Sequence, residues 1–216
     1  AASGGDIPAR AAYLSAMETV LAIDTAGPRL QLAVLRGETA DSLVEEMPTG
    51  QAERIFPAIA GLMVRSGITH TDLTRVAVTT GPGSFTGVRI GLSAARGLGL
   101  ALGVPVIGVP TLFAISLAAE CQPVAVLLDA RRDEAYFQAF SGPGLPIGAA
   151  ALLPMAEARQ RIAPGMQPVA GAPNIVRLAR FAATADPAAF PPDAAYIRDA
   201  DAKPQTRFTV ARAEPA

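Results

Sequence analysis

Two apolar runs, each closed by a carboxylate and each followed by an alternating pattern, set the strongest constraint on the fold. The first is T-V-L-A-I-D, Thr19–Asp24, and Leu30, Leu32 and Val34 follow Asp24 by six, eight and ten residues. The second is V-A-V-L-L-D at 124–129, and Ala135, Phe137 and Ala139 follow Asp129 at the same offsets. An unbroken apolar run of this length reads as a buried strand, and a period of two reads as a strand with one buried face. The repeated unit is therefore a buried strand, an Asp, a tight turn and an alternating strand. Duplication predicts two related lobes; chance likeness of two hairpins is the alternative.

The stretches between these units read as alternating strands and helices. Arg29–Arg36 is a second strand, and the turn at Arg36, Gly37 and Glu38 leads into a third near 39–46. Residues 51–66 switch to helical spacing, with Ile55, Phe56, Ile59, Leu62 and Met63 on one face and Gly67 as the stop. Pro57 inside that segment marks a late start or a kink. Residues 75–80 form a strand, 81–84 a turn capped by Ser84, 85–102 a helix and 104–109 a strand; Pro110 and Thr111 open another helix. Further on, 142–146 is loop-like, and 155–162 and 174–183 are candidate helices. The order is that of a sheet with helices packed on it. Residues 1–16 are expected to be a tail or tag, 17–120 a first lobe and 121–216 a second, with no export signal.

Composition excludes several functions. The formal net charge of -1 gives no positive field to attract nucleic acid without a local patch or a partner. One cysteine, Cys121, rules out an internal disulfide and suits a reducing cytoplasm. The single histidine, His70, lies between two threonines and reads as an exposed loop residue. One His and one Cys build neither a His-rich metal site nor a Ser-His-Asp triad. From 97 to 119 no residue is charged, a length that would cross a bilayer. Pro105 and Pro110 bracket V-I-G-V there, and a buried strand between two helices is the better reading.

The densest signal is G-P-G-S-F-T-G-V-R-I-G-L-S-A-A-R-G-L-G-L-A-L-G, residues 81–103. A Gly-rich turn before a helix binds phosphate when its free N–H groups point outward, which makes Gly81, Gly83 and Ser84 candidate nucleotide-proximal residues. The segment lacks the Gly-Lys-Ser/Thr ending of a P-loop, so a tight turn with a Ser cap is the plainer reading. Within the helix, Gly87, Gly91, Ala95, Gly99 and Gly103 recur every four residues. Each interior Gly costs about 1 kcal/mol against Ala, so close approach of another element is expected. That element is either the chain's own core or a partner helix. Phe85, Val88, Leu92 and Leu98 flank the stripe. Asp24 and Thr25 end the first strand at a place where phosphate and metal sites are found in α/β sheets, but the turn holds one glycine and one proline, Gly27 and Pro28. Asp24 and Asp129 read more simply as carboxylates that cap turns.

Taken together, L-A-I-D-T at 21–25, G-P-G-S-F-T-G-V-R-I-G at 81–91, V-I-G-V-P-T-L at 106–112 and L-D-A-R-R-D-E-A-Y at 128–136 resemble the TsaB (YeaZ) family. Tyr196, Ile197 and Arg198, with Asp201 to Pro204, resemble its terminal element. The glycine block is shared in part with the related TsaD proteins; these are longer and carry a His-x-x-x-His motif. The resemblance implies an α/β actin-like ASKHA (ribonuclease H-like) fold of two lobes, the second cut short. It implies a subunit of tRNA threonylcarbamoyladenosine (t6A) synthesis that pairs with TsaD, joined by the TsaE ATPase. ATP and metal are expected on the partner, tRNA is met through the complex, and the chain alone is a candidate homodimer. Family pairing runs through the two first-lobe helices, so Ile55, Phe56, Ile59, Leu62, Met63, Phe85, Val88, Gly91, Leu92, Ala95 and Gly99 are the expected interface. Many relatives carry a His where this chain has Gln51, which leaves that residue's role open.

Two other functions compete with a non-catalytic subunit. An ATP-using phosphotransferase of the actin and hexokinase type needs a nucleotide cleft between full lobes. A metalloprotease needs ligands that this sequence lacks.

Overall fold

A computed structural model describes residues 18–120, 123–195 and 197. Cys121, Tyr196, Arg198, the 201–204 segment and the 1–16 tail lie outside the described residues.

Sheet A holds five strands in the order β3-β2-β1-β4-β5: β1 Thr19–Asp24, β2 Arg29–Arg36, β3 Thr39–Glu46, β4 Arg75–Thr79 and β5 Val106–Val109. β1 is antiparallel to β2 and parallel to β4, and β4 is parallel to β5. Alternation sends side chains to two cores. Leu21, Ile23, Leu30, Leu32, Val34, Val76 and Val78 face helices α1 (Gln51–Arg65) and α2 (Phe85–Leu102). Val20, Ala22, Ala33, Leu35, Ala77, Ile107 and Val109 face α3 (Thr111–Ser116) and α5 (Ile175–Thr184). A sheet buried on both faces requires a continuous apolar run, and β1 has one.

Sheet B repeats part of the topology, its β10-β6-β7 order matching β4-β1-β2. Its strands are β6 Val124–Arg131, β7 Glu134–Gly142, β8 Leu145–Pro146, β9 Ala151–Pro154 and β10 Gln167–Val169. β6 lies between a parallel strand, β10, and an antiparallel one, β7; β7 also pairs with β8 and β9. Short α4 (Met155–Gln160) precedes β10 as α1 precedes β4. The mixed α/β architecture with two such sheets is the actin-like one expected.

The residue-by-residue repeat needs correction. Asp24 stands opposite Gln31, but Asp129 stands opposite Ala135, so the second turn is one residue shorter. A one-residue slip turns every side chain over. Leu30, Leu32 and Val34 share a core with Leu21 and Ile23, whereas Ala135 and Phe137 lie on the opposite face of sheet B from Val126.

Other expectations shift as well. Pro57 is an interior residue of α1, which starts at Gln51, not late. Ser66 lies outside that helix; the N–H groups of Gly67 and Ile68 donate to the carbonyls of Val64 and Met63, closing it with Gly67 at φ +64. β5 begins two residues later than expected. The loop-like 142–146 contains β8, and β9 and β10 went unforeseen because each has four residues or fewer. The uncharged 97–119 stretch divides among α2, β5 and α3, and no helix among the described residues is long and apolar enough to cross a membrane. Residue 120 separates the two sheets in sequence, yet α5, which follows β10, packs on sheet A.

Candidate functional site

The β1–β2 turn and the turn before α2 meet, and they close on each other. Ser84 N–H donates to the Ala26 carbonyl at 2.7 Å, and Thr25 Oγ1 donates to the Gly87 carbonyl at 2.7 Å. Ser84 Oγ accepts from Gly87 N–H at 3.2 Å, the expected N-cap. A Cβ on Gly83 or Gly87 would overlap the carbonyl of Ala26 or Thr25 respectively. These glycines let the two backbones touch. Gly81 holds φ +97, and its carbonyl accepts from Thr111 N–H at 2.7 Å.

Asp24 is buried and has partners on both oxygens. Oδ1 accepts from Thr79 Oγ1 at 2.6 Å and from Ala26 N–H at 3.1 Å; Oδ2 accepts from Gln31 Nε2 at 2.8 Å. Gln31 Nε2 also reaches the Pro173 carbonyl, in the loop that opens α5. The carboxylate therefore pins β1, β2 and β4 together beneath a strand-to-helix loop. Asp129 differs: it is exposed, and its Oδ1 accepts from the backbone of Arg131 at 2.7 Å. Gln51, whose role the resemblance leaves open, is buried and donates through Nε2 to the carbonyls of Gly27 and Arg29. It ties the start of α1 to the β1–β2 turn. Sequence reasoning missed this tether. His70 is exposed in a short 3-10 turn, Thr69 capping with Asp72, as its polar neighbours indicated. Among the described residues no group of three or more His, Cys, Asp or Glu is placed to hold a metal.

The expected interface residues divide sharply. Ile55, Ile59, Leu62, Met63, Val88, Leu92 and Ala95 are buried in the core shared by α1, α2 and sheet A. Gly91 and Gly99 are buried too: a Cβ on Gly91 would stand 2.5 Å from Thr25 Oγ1, and one on Gly99 would overlap the Val106 side chain. The small-residue stripe thus lets α2 lie close on the chain's own strands. Of the eleven, Phe56 and Phe85 are about half exposed, at 52% and 54%. The same helices expose Val64 and Leu100 at 80% and 88%. Arg89 stacks its guanidinium 3.7 Å over the Phe85 ring. Neither Val64 nor Leu100 was foreseen. Both lie on the face opposite the core stripe, which the 3.6-residue period alone would have marked.

Ion pairs fix α1 to the edge strand. Arg54 makes a two-pronged contact with Glu45, and Arg65 makes one with Asp41. These hydrogen bonds hold both carboxyls below their usual range. At the tip of the second hairpin, Arg131, Arg132 and Asp133 all take left-handed conformations, at φ 63, 55 and 60.

Residues 47–192 match the family model for TsaD, tRNA N6-adenosine threonylcarbamoyltransferase. A 122-residue stretch is 38% identical to the tRNA threonylcarbamoyladenosine biosynthesis protein TsaB of Escherichia coli, covering 55% of this chain and 53% of that one. The match thus spans about half the length of that relative. An uncharacterized protein of Mycobacterium tuberculosis is 36% identical over 162 residues, 73% of this chain and 74% of the other. Among solved structures, YeaZ from Pseudomonas aeruginosa superposes with a TM-score of 0.60 at 34% identity, covering 64% of this chain and 68% of that one. A second structure, described as an uncharacterized protein with similarity to peptidase YEAZ from Pseudomonas aeruginosa, gives a TM-score of 0.69 at 27% identity over 84% of this chain and all of that one.

Proposed function

The chain belongs to the TsaB (YeaZ) family, and from that premise we propose that it serves t6A biosynthesis as a subunit completing a TsaD-type transferase, not as the catalyst. One observation carries this reading. Among the described residues seven large apolar side chains are exposed, and four of them, Phe56, Val64, Phe85 and Leu100, lie on the neighbouring helices α1 and α2. Grouped exposed apolar residues mark a contact surface. The chemistry-bearing candidates point the same way. Asp24 and Thr25 are buried and spend their side-chain polar groups inside the fold, which disfavours an ATP-using phosphotransferase.

In this reading ATP and metal reside on the TsaD-type partner, a TsaE-type ATPase joins the pair, and tRNA is met through the assembly in the cytoplasm. The contact uses the outer faces of α1 and α2, because their inner faces are filled by sheet A. Self-pairing through the same faces would occur only in the partner's absence.

The test is reconstitution. The chain should co-elute with its TsaD counterpart on size exclusion. Threonylcarbamoyl transfer to tRNA should require both, plus the ATPase. Transfer or steady ATP hydrolysis by the purified chain alone would overturn the proposal.

A further inference from the structure

Four successive carbonyls of the β1–β2 turn are engaged. Ala26 accepts from Ser84 N–H at 2.7 Å and Pro28 from Met47 N–H at 2.8 Å. Gly27 and Arg29 both accept from Gln51 Nε2, at 3.1 and 2.9 Å. Ser84 caps α2, Gln51 is the first residue of α1, and Met47 lies in the loop that leads to it. One turn thus anchors the N-terminal ends of both helices.

Gln51 holds a special place in this anchor. The N-cap of α1 is Gly50, which has no side chain to bond the helix start. Gln51 is buried and turns toward the sheet instead. Its Oε1 lies against the first turn of α2, 3.3 Å from where a Cβ on Gly87 would stand. The side-chain chemistry is specific. Two carbonyls require two N–H groups; a neutral amide nitrogen supplies both, a carboxylate supplies none, and a buried ammonium would lose its hydration. Above this junction Phe56 and Phe85, both half exposed, stand within the first two turns of their helices.

We propose that Gln51 is a positioning residue for t6A synthesis: from beneath the surface, and through the β1–β2 turn, it fixes the spacing between the first turns of α1 and α2 on which assembly depends. This rests on the pairing proposed above and adds to it a buried amide that the partner does not touch. Without the two N–H groups, the carbonyls of Gly27 and Arg29 lose their tie to α1, and the turn that Ser84 and Thr25 fasten to α2 is free to shift.

Gln51→Met keeps an unbranched side chain and removes both donors. It would be compared with the unaltered chain and with Leu153→Ala, a control in the core of sheet B, by amide exchange of the free chain and by calorimetric titration with the TsaD counterpart, below the melting range of all three. In Gln51→Met the Ser84 N–H, which Gln51 does not bond, should exchange roughly tenfold faster, and binding should weaken roughly tenfold. Leu153→Ala should melt lower yet leave both readings unchanged. Faster exchange confined to α1 would overturn the proposal, because the effect would not reach α2. Binding as tight as that of the unaltered chain would overturn it with the pairing intact, and so would equal weakening by Leu153→Ala, since general loosening would then suffice. Failure of the unaltered chain itself to bind would remove the pairing, and the inference with it.

Discussion

At the scale of single residues, glycine carries two meanings that sequence spacing does not separate. The four-residue recurrence from Gly87 to Gly103 was legible, and so was the expectation that something approaches closely. What approaches was not, because that depends on the strand beneath the helix. Substituting leucine for Gly91 or Ala95 is therefore no probe of a partner: Ala95 is fully buried and Gly91 abuts Thr25. Gly87 gives the cleaner case. Its carbonyl accepts from Thr25, its N–H donates to Ser84, and its Cα faces the Thr25 backbone. Gly87→Ala must separate the β1–β2 turn from α2. Overpacking of this kind costs about 1–3 kcal/mol. For a chain this long that lowers Tm by roughly 2–12 °C, measured by circular dichroism. The contrast with Gly97→Ala, in the same helix but off the four-residue stripe and with nothing within 4 Å of an added Cβ, isolates packing from propensity. Ser84 was legible as a cap because its chemistry is local. Gln51 was not, because the carbonyls it binds lie more than twenty residues away.

At the scale of elements, the long periodic segments matched their patterns, and the short strands β8, β9 and β10 had no pattern to read. α1, α2 and β1 to β4 have between five and eighteen residues, enough for a period to show; β8 has two and β10 three. α1 also shows how charge supplements packing. Its polar flank is held to β3 by the pairs of Arg54 with Glu45 and Arg65 with Asp41. Both carboxyls are pulled below their ordinary values of 4.5 and 3.8, first by the guanidinium hydrogen bonds. The unfolded chain then takes up these protons at higher pH than the folded one. The stabilisation is complete above the ordinary values and is lost as pH falls through the lowered ones. Solvent screening keeps it small, since all four side chains are partly exposed. Melting followed from pH 7 to pH 3 should thus fall more steeply below about pH 4.5 for the unaltered chain than for Asp41→Asn with Glu45→Gln. Equal slopes would show that the pairs contribute nothing.

At the scale of the whole molecule, two hairpin units of like pattern were legible in sequence, but the way the two sheets are joined was not. The first half keeps its helix α2 on its own sheet. The corresponding position after β10 leads to α5, which crosses to sheet A and fills the face lined by Ala22, Ala33 and Ala77. Three small residues there admit a helix whose own contact side includes Ala179, Ala182 and Ala183. Arg75 in β4 fastens the far end by donating to the carbonyl of Ala185 at 2.7 Å. Between the sheets stands α3, with Leu112 and Ile115 in the core of sheet B and Ala114 in that of sheet A. Its Phe113 ring meets Phe140 of β7, Phe181 of α5 and Phe190 beyond it, at centroid distances of 6.5, 4.9 and 5.5 Å. Phe113 thus touches both lobes and the returning helix. Phe113→Ala should remove about 3 kcal/mol or more, by the rule for large aromatic truncations. Its distribution matters more than its size. A ring that served one lobe would loosen that lobe alone. Loss of a shared ring should raise amide exchange together in α5, in the 186–195 segment and in β7, while α1 and β3, held by Arg54 and Arg65, keep their protection. Exchange confined to one of those three regions would show that the lobes are joined by α5 alone. The concerted pattern would make α3 the rivet that keeps the α1 and α2 faces on a rigid frame.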